Sequence, residues 1–158
     1  MLVFRIERRK YLPDTLTGIG ASKSKGFRWN SLNTFMVYTS ESRALASLEV
    51  AVHMDLATDF PKDRVLVTIE IPDSVVISTL SPEYLPYDWD AKPPQLLTQL
   101  IGDDFIQSQA SAVLRVPSSI IPEEFNYLIN PSHPDAKLIS VVSSRAFGFD
   151  EGLNQKFK

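Results

Sequence analysis

The chain has 158 residues, 44% of them apolar and 22% charged, with a net charge of −3 and no cysteine. That describes about one soluble globular domain, long enough to bury its own core, and it excludes a disulfide framework or a thiolate zinc site. The acidic balance gives no electrostatic reason to bind nucleic acid, and no run approaches the roughly 20 apolar residues of a membrane span.

The opening "MLVFRIERRK" holds an apolar run too short for a signal peptide, and its charges follow the run. With the missing cysteines this predicts a cytoplasmic protein. "VFRIER" alternates and predicts a strand. Residues 14–25 contain Gly18, Gly20 and small polar residues and predict a loop. The basic clusters Arg8-Arg9-Lys10 and Lys23-Ser24-Lys25 read as solvated loops. "FMVYTS" predicts a second strand. Ser40 or Thr39 then caps a helix running to about Leu56, with Glu41 in its first turn. "RVLVTIEIP" sets Val65, Val67, Ile69 and Ile71 at strict alternation, the clearest strand in the chain. Residues 78–94, rich in proline, tyrosine and tryptophan, predict a long irregular loop. Pro93 and Pro94 suit the start of a second helix, with Leu96, Leu97, Leu100 and Ile101 at helical spacing. "SAVLRVP", "NYLIN" and "KLISVVS" predict three more strands. About six strands and two or three helices result, with several strands in succession. That order predicts an α+β fold rather than a doubly wound sheet.

Several polar residues fall where a plain core would not want them. On the predicted helix Glu49 lies about 40° from Leu45, inside or at the edge of the apolar stripe. Such a carboxylate is paired, protonated, lining a cleft, or reaching water from the stripe's edge. Arg28 stands between Phe27 and Trp29. It reads either as an exposed residue or as an arginine held rigid for a bidentate phosphate contact. Tyr38, in a strand, reads by default as a core tyrosine with a satisfied hydroxyl. Ser118 and Ser119 follow a strand and Pro117, and Asn126 and Asn130 flank another. A Ser118–His133–Asp135 hydrolase has only nonspecific spacing behind it. Two histidines with scattered acids give no metal-ligand spacing, so no metal is expected, and His53 reads as a single surface or core histidine.

The succession "FRI", "GIGA", "GFRWN", "VYTSES" before "LE", "LRVPS", "NYLINP" before "HPD", and "FGFD" resembles the RES domain family. The likeness runs from about Val3 to Asp150, and residues 1–158 form a single domain on this reading. These domains are the toxin halves of bacterial toxin–antitoxin pairs with Xre-type antitoxins. The resemblance implies an α+β fold related to ADP-ribosyltransferases, with split, mostly antiparallel sheets and flanking helices. It implies an attack on NAD as substrate, with no cofactor. The name-giving arginine, glutamate and serine fall on Arg28, Glu49 and Ser118, and Tyr38 matches a further site tyrosine. Phe27 stands where a second glycine is common, and "FDEGL" lacks the arginine that often follows FD. The implied partner is an antitoxin that carries the DNA binding itself, and a homodimer within that complex stays open.

Cleaving the nicotinamide–ribose bond passes through an oxocarbenium-like transition state. Glu49 would accept from a ribose hydroxyl and stabilise the developing charge. Arg28 would clamp the pyrophosphate, Tyr38 would wall in the nicotinamide, and Ser118 would bond the nicotinamide amide or the ribose. Trp29 would support Arg28 by packing, and Asn126 joins them as a substrate contact. Water, phosphate or a protein side chain could accept the ADP-ribose. NAD degradation is therefore expected first and protein ADP-ribosylation second. A non-catalytic binding module is the reading outside the enzymes. A nucleic-acid-acting toxin fits neither the acidic balance nor the lack of a histidine-based cleavage site.

Overall fold

The computed structural model describes residues 1–54 and 62–156. Its strands are β1 Leu2–Arg8, β2 Val37–Ser40, β3 Arg64–Glu70, β4 Ile77–Thr79, β5 Val113–Pro117, β6 Phe125–Ile129 and β7 Ser140–Phe147. Its α-helices are α1 Ile19–Ser22, α2 Arg43–Ala51, α3 Leu96–Ser108 and α4 Glu151–Lys156. The strands form one sheet in the order β4-β5-β6-β2-β1-β3-β7. Neighbours are antiparallel except β4 and β5, which are parallel and are joined through α3. β1 meets β2 at one register position, Phe4 opposite Ser40, whereas β1 and β3 pair along their full lengths. The expected split of the sheet is thus present as a narrow junction within a continuous sheet.

Alternation puts successive residues on opposite faces. Val3, Val37, Val113 and Ile129 belong to one buried cluster, with Val65, Val67 and Ile69. Their chain neighbours turn to the other face. There Leu114 and Leu128 pack with Trp29, Met36 and Phe105, and Phe4 packs with Ile6, Leu66 and Ala46 of α2. β3 is buried at five successive positions, Val65 to Ile69. Both of its faces are covered, so its alternation marked a strand without marking an exposed side.

Four expectations change. Residues 14–25, read as a loop, hold the single-turn helix α1. The segment read as a loop from Ser78 contains the end of β4, which is only three residues long and too short for a periodic signal. Thr39 and Ser40 stay in β2, and Ser42 caps α2 by accepting from Leu45 N at 3.0 Å. Glu41 lies outside the helix and extends the ladder, its N donating to Phe125 O and its Oε1 accepting from Phe125 N. α2 closes at Ala51 with Val52 as C-cap, and the predicted end at Leu56 lies outside the described residues.

α3 departs most from its apolar pattern. Leu96, Leu97 and Leu100 are exposed, and the helix buries Thr98, Gly102, Asp103 and Phe105. The cause is a close approach. A Cβ on Gly102 would stand 1.6 Å from Trp29 O, so only glycine lets α3 press on that backbone. Asp103 then accepts from Ser31 N at 3.0 Å and from Ser31 Oγ. These contacts fix the rotation of the helix and turn its leucines outward.

Candidate active site

Glu49 is placed by the start of α2. The Ser42 cap sets the helix phase, and Leu45 and Ala46 are buried against the sheet. Glu49, four and three residues further on, shares their face. Its Oε1 accepts from Ser118 Oγ at 2.9 Å and from Asn126 Nδ2 at 2.6 Å. Among the described residues no hydrogen bond reaches its Oε2. Glu49 is thus a paired carboxylate, one of the alternatives open from the sequence.

Ser118 follows the last residue of β5 and has no exposed surface. Its hydroxyl donates to Glu49 and accepts from Ile120 N at 3.1 Å and Ile121 N at 3.2 Å. One donor and two acceptor positions are all a hydroxyl has. The expected direct contact from Ser118 to a ligand therefore has no free hydrogen-bonding position behind it here. Asn126, on β6 opposite Ser40 of β2, is bonded through both amide atoms but keeps a second N–H for a ligand. Its Nδ2 donates to Glu49 and its Oδ1 accepts from Ser40 Oγ at 2.7 Å.

Arg28 comes from the segment between α1 and β2. Its Nη1 donates to Trp89 O and, at 3.1 Å, to Ala91 O. Burial pulls the guanidinium below its ordinary pKa, opposed by the nearby charges of Asp90 and Glu49. The group stays cationic, and Glu49 lies close enough to favour that charge. Tyr38 occupies β2. Its hydroxyl accepts from Trp29 N at 3.1 Å and donates to Asn30 Oδ1 at 2.7 Å. Burial pushes this hydroxyl well above the usual phenol range, so it does not act as a base. Its ring lies 5.0 Å from that of Phe27, which takes the space a second glycine would leave. Trp29 is buried and stacks on Trp89 at 6.4 Å, supporting the segment from within.

Sequence reasoning missed what holds this segment. Gln99 of α3 donates to Lys25 O at 3.0 Å and Phe27 O at 2.9 Å. With Gly102 and Asp103 it ties α3 to both sides of Arg28. A glycine followed by an aspartate inside a helix was the available signal.

The other candidates lie elsewhere. His133 Nδ1 accepts from Asp135 N and caps the short 3₁₀ turn Pro134–Leu138. His133 follows the end of β6, whereas Ser118 lies beyond the pairing of Pro117 with Phe125 at the start of β6, so no Ser118–His133–Asp135 triad forms. Asn130 is fully buried, donates to Ile106 O and accepts from Ser132, which makes "NPSHPD" a structural turn. His53 is exposed at the end of α2. Hollows of about 400 and 520 Å³ lie elsewhere on the described residues, and neither is lined by Arg28 or Glu49.

The RES domain profile matches residues 2–150. A protein of Sphingobium sp. strain YBL2, described as a "Prs ADP-ribosylating toxin", is 44% identical over 152 residues, covering 95% of this chain and 93% of that one. A "Toxin Res" of Photorhabdus laumondii is 38% identical over 157 residues, 97% of each chain. Among solved structures, the M. tuberculosis MbcT–MbcA toxin–antitoxin complex contains a chain that superposes with a TM-score of 0.72 at 19% identity. That match covers 99% of this chain and 87% of the other, and it shows a shared fold. On the profile and on these two relatives, the chain belongs to the RES domain family.

Proposed function

We propose that this chain is the toxin of a toxin–antitoxin pair and that it cleaves the nicotinamide–ribose bond of NAD. The observation that carries the reading is Glu49, a carboxylate anchored through one oxygen beside a half-buried arginine. Oε2 would accept from a ribose hydroxyl and stabilise the charge that develops on the sugar. Arg28 would hold the pyrophosphate, and the Tyr38 ring would wall in the nicotinamide. The C–N bond breaks with its electron pair leaving on nicotinamide, which departs neutral. Ser118 and Asn126 act in this scheme through Glu49 and keep its carboxylate in place.

The reading expected first, loss of NAD to water or phosphate, uses this half-site alone and would arrest growth by NAD depletion. Transfer of ADP-ribose to a protein uses the same cleavage step, and the description of the Sphingobium relative favours it. Incubating the purified protein with NAD, with and without phosphate and with a candidate protein acceptor, separates the outcomes by product. No release of nicotinamide under any condition would refute the proposal. The structural neighbour was solved with its antitoxin, which supports a silencing partner here. We place the activity in the cytoplasm, where NAD is available; among the described residues no helix is long and apolar enough to cross a membrane.

A further inference from the structure

The Glu49 carboxylate is held asymmetrically, and one of its two anchors is itself held by a second hydrogen bond. A side-chain amide can present either its oxygen or its nitrogen. Asn126 can anchor Glu49 only with its nitrogen, because its oxygen would set two acceptors against each other at 2.6 Å. Glu49 makes that choice, and Ser40, whose hydroxyl can donate or accept, holds the amide in place from its other end. Its Oγ lies 2.7 Å from Asn126 Oδ1 and donates to it. Ser40 is 4% exposed and sits opposite Asn126 in the β2–β6 ladder, so both side chains rise on the face that carries α2. On its other side Ser40 pairs with Phe4 of β1, at the single register position that joins the two halves of the sheet.

We propose that Ser40 is a positioning residue for Glu49, acting through Asn126. It steadies the amide where its Nδ2 anchors Oε1, leaving Oε2 without a protein partner among the described residues. This rests on the proposed NAD chemistry for its kinetic consequence but not for its geometry. Ser40 has no contact with a ligand to make. Its removal leaves Asn126 Oδ1 without its protein donor, so the amide loosens and Glu49 drifts. A reacting group displaced by about 1 Å can cost up to ~10²-fold in rate.

The test uses the full chain. Ser40→Ala should lower kcat for NAD by about tenfold or more, with KM within about twofold of wild type, because Arg28 and the pyrophosphate contact are untouched. Ser40→Thr, which keeps the hydroxyl, should restore most of the rate. In a Glu49→Gln background, Ser40→Ala should cost nothing further, since residues acting as one unit are non-additive. A crystal structure of Ser40→Ala gives a readout independent of activity: Asn126 or the Glu49 carboxylate should be rotated from its wild-type position. If Ser40→Ala does not fold, Asn126→Asp replaces it, and it too must lose kcat because it sets a second carboxylate against Oε1. Wild-type kcat in folded Ser40→Ala overturns the proposal, as does a structure in which Asn126 and Glu49 are unmoved. A wild-type protein that leaves NAD intact overturns the NAD reading alone, and the crystal structure then decides the role of Ser40.

Discussion

Glu49→Gln should leave the fold intact and remove most NAD cleavage, for a reason visible in the hydrogen bonds. Two donors, Ser118 Oγ and Asn126 Nδ2, converge on Oε1. Both are fixed elsewhere, Ser118 by two backbone N–H groups and Asn126 by Ser40. A glutamine must therefore place its carbonyl oxygen on them, and its NH2 takes the position of Oε2. The variant keeps both anchoring bonds, so its stability should change by less than ~1 kcal/mol. The oxygen left unbonded, however, becomes a donor without charge. A ribose hydroxyl that needs an acceptor and a developing cation that needs an anion both lose their partner. Removing one such stabiliser typically costs 10²–10³ in rate, about 3–4 kcal/mol. The assay is nicotinamide release at saturating NAD, paired with a thermal melt. A folded Glu49→Gln protein with near-wild-type turnover would refute the role.

Arg28→Lys should weaken NAD binding by ~tenfold or more in a titration, because one ammonium cannot both reach the Trp89 and Ala91 carbonyls and present a fork to phosphate; unchanged affinity would make Arg28 structural. Ser118→Ala should lower stability by ~1–3 kcal/mol in denaturant melts, since it strips the acceptor from Ile120 N and Ile121 N as well as a donor from Glu49. Gly102→Ala should cost about 2 kcal/mol or more and shift the melting midpoint down by several degrees, because the new methyl falls on Trp29 O; an unshifted midpoint would mean the approach is looser than described. The antitoxin should silence the enzyme by laying a carboxylate-bearing terminal segment over Arg28, so inhibition should weaken as NAD rises; full inhibition after that segment is cut off would refute the plug.

Every strand except β4, and the two longer helices, were legible because their signals are local. Alternation marked β3, and the stripe of Leu45 and its neighbours put Glu49 inside or at the edge of the apolar face of α2. The α+β class followed from the order of elements. The position of the α2 cap was not legible, since Ser40, Glu41 and Ser42 all suit a helix start, and the choice was made by the ladder to Phe125 across 84 residues of chain. The exposed leucines of α3 were misleading for a related reason. Gly102 touching Trp29 outweighs the preference of several leucines for burial, and a contact between residues so far apart in the chain leaves no periodic trace. The same limit hid the partners of Ser118. Its residue type suggested a group facing the ligand, while the two N–H groups that occupy it become visible only once residues 118–121 have folded back.

The two charged groups of the site share one design. Glu49 gives one oxygen to the protein and keeps the other unbonded among the described residues. Arg28 gives Nη1 to two backbone carbonyls, while its Nε and Nη2 take no partner among those residues. Each side chain is thus immobilised through one edge and keeps the opposite edge unbonded among the described residues. The rotamer entropy of a long glutamate or arginine is lost at folding rather than at binding, which removes ~0.5–1.5 kcal/mol per side chain from the cost of taking up a ligand. The remaining edge of the guanidinium is a two-donor fork of the kind that matches a phosphate, and the remaining carboxylate oxygen is a single acceptor. An anion at one end and a hydroxyl-bearing group that becomes cationic at the other would satisfy both at once. A dinucleotide with a positively charged nicotinamide ring and a pyrophosphate has that polarity, which is why the pair Arg28 and Glu49 is better evidence for NAD than either residue alone.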